Sequence, residues 1–165
     1  MRHLELKLTF RVYPGGNGLD PDDRALIDRA KQAAGDAYAP YSGFRVGAAL
    51  MLANGEIVTG NNQENVAYPS GLCAERVALF AASSRFPGVP VHAMAIAAET
   101  ENFTLTEPVY PCGGCRQVMS EYEASQGQPI RVLMAGPNQD ALEAPGVDHL
   151  LPLRFSAEQL RKSNR

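Results

Sequence analysis

The chain has 165 residues, of which 45% are hydrophobic and 20% charged, and its net charge is −3. This balance predicts a single globular domain over residues 1–165 and excludes wholesale disorder. No run of lysine or arginine offers the clustered basic surface that nucleic acid needs. No apolar run approaches the roughly 20 residues that cross a bilayer, so neither nucleic acid nor a membrane is an expected partner.

The N-terminal segment alternates apolar and polar side chains over residues 4–12, the period-two pattern of a half-buried strand. A Gly-rich loop follows at residues 14–18, so residues 1–19 are interpreted as an N-terminal strand and loop that extend the domain. The segment lacks the apolar block of a signal peptide, which predicts a cytoplasmic protein. The odd number of cysteines, three, agrees with this location, because a secreted disulfide framework favours an even number.

Helix and strand signals then alternate along the chain. Asp20 is expected to cap a helix that begins at Pro21 and ends before Pro40. Residues 44–52 are predicted as a buried strand, 53–55 as a turn and 56–59 as the returning strand, followed by a polar loop over 60–72. Helices are expected from about Cys73 to Ala82 and from Cys112 to about Ala124.

The remaining strands are predicted at residues 91–98 and 130–134, with a surface loop over residues 135–147. A hairpin followed by alternating strands and helices predicts a mixed sheet with helices on both faces, an α/β fold.

All three cysteines lie where a loop is expected to enter a helix. Cys112 and Cys115 are three residues apart and would share one helical face, while Cys73 would arrive from a neighbouring helix. Three thiolates leave one tetrahedral position of a zinc ion open, as in catalytic sites. Glu75 follows Cys73 by two residues and is placed to reach a water on the metal. The sequence therefore predicts a catalytic zinc site with Glu75 as acid–base.

Arg76 has a predicted supporting role. Three thiolates exceed the charge of a divalent ion by one, and a hydrogen bond from Arg76 to a thiolate would offset that excess. A Cys-x-x-Cys pair alone also serves as a redox pair or a structural zinc knuckle, and Asn62 and Glu64 alone are ordinary loop polar residues. The three histidines lie outside the cysteine segments and are not expected to bind the metal: His3, His92 and His149.

With these residues named, the chain resembles the cytidine deaminase family, in particular its small, three-cysteine, homotetrameric branch. The resemblance spans residues 30–160 and rests on four motifs in order: residues 38–49, 60–65 (GNNQEN), 73–76 (CAER) and 111–117 (PCGGCRQ). It implies a three-layer α/β/α fold with a mixed five-stranded sheet, to which the N-terminal strand adds an edge. The departures are that extension and Gly43, which stands where larger residues are frequent.

The resemblance also implies a role for each matching residue. Cys73, Cys112 and Cys115 would bind Zn²⁺ and Glu75 would shuttle protons. The substrate would be held by residues that match the family's contacts to base and ribose: Phe44 on the pyrimidine, Asn62 and Glu64 on the ribose hydroxyls, the backbone of Ala74 and of the Pro111–Cys112 region on the base, Tyr68 lent by a neighbouring subunit, and Phe155 closing another subunit's pocket.

The activity implied is zinc-dependent hydrolytic deamination of cytidine and deoxycytidine to uridine and deoxyuridine, a reaction of pyrimidine salvage in a homotetramer with shared active sites. Two alternatives stay open at this point. One is deamination of a modified cytosine nucleoside such as blasticidin S, and the other is a non-catalytic binding module that zinc merely stabilises. The sequence does not rank cytidine against deoxycytidine.

Overall fold

The computed structural model describes residues 1–160, and its helices and strands largely follow the predicted order. Three α-helices occur in this range: α1 (Pro21–Gly35), α2 (Ala74–Arg85) and α3 (Gly113–Gln126). Six strands occur in the same range: β1 (Arg11–Tyr13), β2 (Phe44–Leu52), β3 (Ile57–Asn61), β4 (Val91–Thr100), β5 (Arg131–Ala135) and β6 (Ala141–Ala144). Among these residues, no helix is both long and apolar enough to cross a membrane.

The strands form one mixed sheet in the order β1-β6-β5-β4-β2-β3. β4 and β5 are parallel, and the other neighbouring pairs are antiparallel. Parallel neighbours need a crossover of a dozen or more residues, which α3 supplies between β4 and β5. The five strands β2–β6, with β1 added at one edge, match the mixed five-stranded sheet that the resemblance implied.

Helices cover both faces of the sheet. The apolar side of α1, including Leu26 and Ala30, packs on one face with alanines of β2 and β4. The other face packs against α2 and α3 through Leu79 and Met119, together with Leu50, Met94 and Ile96 of the strands. The protein is therefore a three-layer α/β/α sandwich, as predicted.

The first helix begins as its sequence indicates. The Asp20 carboxylate accepts a hydrogen bond from the backbone N–H of Asp22 at 2.9 Å, and Pro21 occupies the first helical position. A sulfur atom caps the start of α3. Cys112 immediately precedes this helix, and the Cys112 Sγ atom accepts a hydrogen bond from the backbone N–H of Cys115 at 3.4 Å. Gly127 ends α3 with a left-handed φ of 69°.

The N-terminal strand is shorter than predicted. The alternating pattern of residues 4–12 indicated a strand over that whole stretch, but only Arg11–Tyr13 pairs with β6. The register sets Arg11 opposite Glu143 and Tyr13 opposite Ala141, and β6 ends at Ala144. Residues further toward the N-terminus lie beyond the end of β6 and have no strand to pair with. An alternating sequence forms a strand only where a neighbouring strand completes its backbone hydrogen bonds. The predicted edge position is confirmed.

The prediction of a surface loop over residues 135–147 was wrong, because β6 lies within it. Its proline, glycine and asparagine residues made this stretch look like a loop, yet Glu143 of β6 is buried. The Tyr13 hydroxyl donates to Glu143 at 2.6 Å, and the Arg11 guanidinium donates at 3.1 Å. The hydrogen bond to Glu143 also raises the pKa of Tyr13. A buried charge in a strand is tolerated when it is paired in this way.

Candidate active site

The three cysteine sulfurs meet where α2 and α3 begin. Cys73 immediately precedes α2, Cys112 immediately precedes α3, and Cys115 lies in the first turn of α3. The Sγ atoms of Cys73 and Cys112 are 3.8 Å apart, those of Cys112 and Cys115 are 3.5 Å apart, and all three lie within 4.8 Å of one another. Tetrahedral Zn–S bonds of about 2.3 Å place their sulfurs roughly 3.8 Å apart. The three thiols therefore fit a zinc ion.

The electrostatics of the cluster favour a thiolate at Cys73. In the free thiols, a hydrogen bond with Cys115 lowers the pKa of Cys73 to about 5, against the effect of burial. The Nη2 atom of Arg76 lies 3.6 Å from the Cys73 sulfur and lowers that pKa further. The same hydrogen bond with Cys73 raises the pKa of Cys115. A bound divalent cation removes this competition, because coordinating thiols deprotonate outright.

Glu75 lies in the first turn of α2, beside the sulfurs. Its side chain is nearly buried, with 3% of the residue exposed, and it faces the same cavity as Cys73 and Cys112. Burial raises its pKa above the usual value for a carboxyl group, and the charge of Cys73 adds to that rise. A carboxyl group with a raised pKa exchanges protons efficiently near neutral pH.

A cavity of about 650 Å³ opens in front of the sulfurs. This volume is in the range of sites that bind small molecules. Eight of the eleven predicted site residues line it: Phe44, Asn62, Glu64, Tyr68, Cys73, Glu75, Arg76 and Cys112. Two more, Ala74 and Cys115, are fully buried in the first turns of α2 and α3.

Phe155 is the one predicted site residue that lies away from the cavity. Its ring is exposed, and its backbone carbonyl accepts a hydrogen bond from the Gln117 side chain at 2.9 Å. The chain therefore does not use Phe155 to close its own cavity, and a contribution to the pocket of another copy stays a prediction. Tyr68 lines the cavity of its own chain although its side chain is largely exposed.

Asn62 holds the β3 end of the cavity against β2. Its Oδ1 atom accepts from the backbone N–H of Val46 at 2.7 Å, and its Nδ2 atom donates to the carbonyl of Phe44 at 2.9 Å. These bonds fix the backbone on either side of Arg45, and so set where the Phe44 ring enters the cavity.

Glu64 organises the turn before β2. It accepts hydrogen bonds from the Ser42 hydroxyl and, at 2.8 Å, from the backbone N–H of Tyr41, and these bonds lower its pKa. Gly43 follows with a left-handed φ of +64°, and a Cβ there would come 2.6 Å from the Asn102 side chain. The turn therefore requires glycine at this position, which accounts for the departure noted in the sequence.

Several aromatic and apolar residues near the site were not among the predicted site residues. Val109 and Tyr110 line the cavity just before Pro111, and their only signal was their closeness to the cysteine motif. Phe103 stacks on Phe44 with ring centroids 6.0 Å apart and planes 9° from parallel. No sequence signal indicated Phe103, because it lies in an irregular loop 59 residues further along the chain.

A three-thiolate site with a neighbouring carboxylate, in a three-layer α/β/α sandwich, defines the class of zinc-dependent deaminases. The comparisons with known proteins agree. Residues 20–127 match the family model described as "Cytidine and deoxycytidylate deaminase zinc-binding region". The chain therefore belongs to the cytidine and deoxycytidylate deaminase family, and zinc is the metal of its site.

Individual relatives cover most of the chain. It is 41% identical over 139 residues to the cytidine deaminase of Halalkalibacterium halodurans, which covers 84% of this chain and 98% of the relative. It is 36% identical over 149 residues to that of Mycobacterium tuberculosis, covering 88% and 98%. The crystal structure of cytidine deaminase from Burkholderia pseudomallei superposes with a TM-score of 0.69 at 41% identity, over 79% of this chain and 97% of that one.

Proposed function

We propose that this protein catalyses the zinc-dependent hydrolytic deamination of cytidine and deoxycytidine, giving uridine or deoxyuridine and ammonia. The observation that carries the proposal is the buried Glu75 carboxyl beside three sulfurs at zinc-binding distances, facing a cavity of 650 Å³. The relatives named above as cytidine deaminases support the substrate.

Cys73, Cys112 and Cys115 would hold the zinc ion. When bound, zinc would act as a Lewis acid that lowers the pKa of water from about 16 to about 7. The chain contributes the fixed spacing of the sulfurs. It also positions a hydrogen bond from Arg76 to Cys73, which would offset part of the excess negative charge of three thiolates.

Glu75 would carry the protons. It takes a proton from the attacking water and delivers it to N3 of the cytosine ring, which makes C4 electrophilic. The water oxygen bonds to C4, the bond between C4 and the amino nitrogen breaks, and Glu75 passes the second water proton to the departing ammonia. The raised pKa of Glu75 suits both acceptance and release.

The walls of the cavity would bind the nucleoside. We propose that Phe44 packs on the pyrimidine, that Asn62 and Glu64 bind the ribose hydroxyls, and that the Ala74 backbone contacts the base. Tyr68 and Phe155 would contribute to the active sites of neighbouring subunits in a homotetramer. The homotetramer and the cytoplasmic location stay predictions. The position of Asn62 and Glu64 on the cavity wall supports their assignment.

The two alternatives are weaker. A modified cytosine nucleoside would not need the Asn62 and Glu64 pair at the place expected for an ordinary ribose. A zinc-stabilised binding module would have no need of a carboxyl group buried at the metal site, because burying a carboxyl costs free energy without benefit there.

The test compares the native protein with Glu75→Gln, which keeps the shape of the side chain but cannot exchange protons. Cytidine conversion is followed by ultraviolet absorbance and by released ammonia, with zinc content measured in parallel. We expect the variant to keep its zinc and lose at least about 10²–10⁴ in rate. Glu56→Gln, in the exposed β2–β3 turn, serves as the control. A zinc-loaded native protein that leaves cytidine and deoxycytidine unchanged would exclude the proposed substrates.

A further inference from the structure

The sheet has an open edge at its N-terminal end. β1 pairs with β6 on one side, and in residues 1–160 no strand lies along its other side. Such an edge presents unpaired backbone N–H and carbonyl groups that can pair with another strand. The segment before β1 carries three leucines that are 75%, 49% and 42% exposed: Leu4, Leu6 and Leu8.

This segment lies outside the part of the chain that matches the family model, which begins at residue 20. Three leucines at alternate positions are costly in water, because they leave 75%, 49% and 42% of their surfaces exposed. Their spacing is that of side chains on one face of a strand. Residues 4–10 do not form a strand, because β6 ends at Ala144 and is too short to pair with them.

We propose that a second copy of this chain completes this strand. Residues 4–12 of two copies would pair antiparallel about a twofold axis at Leu8 and join the two sheets through their β1 edges. The contact is isologous, because the same segment serves both sides. It is independent of the catalytic proposal.

The sequence of the segment favours this register. Pairing about Leu8 sets Glu5 opposite Arg11 twice, Leu4 opposite Val12 and Leu6 opposite Phe10. Opposite charges and apolar side chains across antiparallel strands stabilise the pair.

Neighbouring registers are worse. A shift by one residue in one strand sets apolar side chains opposite charged ones, because the two faces alternate. Pairing about Lys7 sets Lys7 opposite itself, and pairing about Thr9 sets Lys7 opposite Arg11, which opposes like charges. Pairing about Leu6 joins Glu5 to Lys7 but leaves β1 outside the contact.

The structure around β1 is compatible with a partner. The Arg11 side chain is 67% exposed and uses only Nη1 toward Glu143, so its remaining N–H groups are available to Glu5 of the other copy. Phe10 is fixed by edge-to-face contact with His149, with ring centroids 6.1 Å apart. In a strand over residues 4–12, Leu4, Leu6 and Leu8 would lie on the same face of the sheet as Phe10.

The first test deletes residues 1–9, which leaves Phe10 and β1 in place. All nine residues are exposed, so zinc content should match that of the full chain. We expect the molar mass from analytical ultracentrifugation to fall by half at equal concentration. An unchanged mass would overturn the proposal.

A second test reads the register in the zinc-loaded protein, where the native cysteines are ligated. Leu8→Cys should form a disulfide-linked dimer under mild oxidation, because residue 8 faces itself across the axis. Leu4→Cys is the matched control and should stay monomeric on a non-reducing gel, because residue 4 faces Val12. Equal cross-linking of both variants, or preferential cross-linking of Leu6→Cys, would rule out the pairing about Leu8.

A third test addresses charge. Glu5→Lys should weaken the association by about 2- to 30-fold, because two attractive pairs become repulsive. Glu56→Lys makes the same charge change in the exposed β2–β3 turn and should leave the association unchanged. Equal effects of the two variants would contradict the Glu5–Arg11 pairing.

Discussion

Arg76 is held against the metal-binding cluster by a hydrogen bond to Cys73. Its Nη2 atom donates to Cys73, and its buried Nε finds no hydrogen-bond partner in residues 1–160. An unpaired buried N–H is costly, so this placement is expected only if the charge of the side chain is useful at the cluster.

We expect Arg76→Ala to lower turnover about 10- to 100-fold, because the thiolates lose the cation that offsets their charge. Zinc content and turnover are measured together, and Arg76→Lys should recover part of the loss. Arg85→Ala, at the other end of α2, is the control. Unchanged turnover in Arg76→Ala would remove the role proposed for this residue.

Glu64 offers a test of the ribose assignment that spares the fold. Glu64→Gln keeps the shape that supports the Ser42 turn but removes the charge. We expect kcat/KM for cytidine to fall about 10- to 100-fold while that for free cytosine changes little. Asn62→Ala should show the same selectivity and also lower the unfolding temperature, because Asn62 bonds to β2. Equal losses on both substrates would refute the assignment.

Phe103 is expected to act through Phe44. Stacked aromatic pairs contribute about 0.5–1.5 kcal/mol beyond their buried area, so Phe103→Ala should raise KM for cytidine about 2- to 10-fold and leave kcat nearly unchanged. Thr104→Ala, in the same loop, is the control. A loss confined to kcat would mean that the stack does not position the ring.

The Cys112–Cys115 pair and the placement of Glu75 beside Cys73 were predictable because their spacing at a helix start determines which side chains meet. The approach of Cys73 to Cys112, 39 residues away, was expected from the ligand set that a zinc ion needs. The positions of Phe44, Asn62 and Glu64 on the cavity wall agree with the resemblance. Phe103 could not be predicted, since its contact depends on the path of a loop that carries no periodic pattern.

At the scale of elements, close helix–sheet packing depends on glycines in the strands. A Cβ on Gly60 of β3 would lie 2.9 Å from the carbonyl oxygen of Ala74 in α2. The Gly60→Ala change would therefore push α2, which carries Glu75, away from the sheet.

We expect Gly60→Ala to lower the free energy of unfolding by about 1–3 kcal/mol. Gly35→Ala, where the added Cβ meets nothing within 4 Å, should be neutral or slightly stabilising. Urea denaturation of the two variants decides the matter: similar stabilities would show that α2 adjusts without cost.

Strand boundaries were the least predictable feature of the sequence. Residues 4–12 have the pattern of a strand but form one only where β6 reaches them, and β6 was hidden by the proline, glycine and asparagine residues around it. Both errors have the same cause, since pairing partners far apart in sequence decide whether a pattern becomes a strand. β2, β4 and α2 were predictable because long apolar runs specify them.

For the whole molecule, we propose that residues 1–165 form one domain. The sheet order supports this, because β1 from the start of the chain pairs with β6 near its end. Arg131 of β5 also pairs with Asp23 of α1 at 2.7 Å. Contacts between such distant parts of residues 1–160 support a single domain.

Removing zinc should destabilise the entire protein. The metal would join Cys73 to Cys112, which are 39 residues apart, and closing a loop of that length stabilises the fold by about 4 kcal/mol in the chain-entropy model. We expect a strong chelator to lower the unfolding temperature and added zinc to restore it, as followed by calorimetry. If chelation removes activity but leaves the unfolding temperature unchanged, zinc has no structural role.

The distant partner of β1 also has a consequence for biosynthesis. Arg11 leaves the ribosome 132 residues before Glu143, with which it pairs. At translation rates of about 5–20 residues per second, that interval lasts roughly 7–26 s. Throughout it, the leucine-bearing N-terminal segment is available to chaperones and to the same segment of chains emerging from neighbouring ribosomes on one messenger. Pairing of two copies through this segment could therefore begin before either sheet is complete.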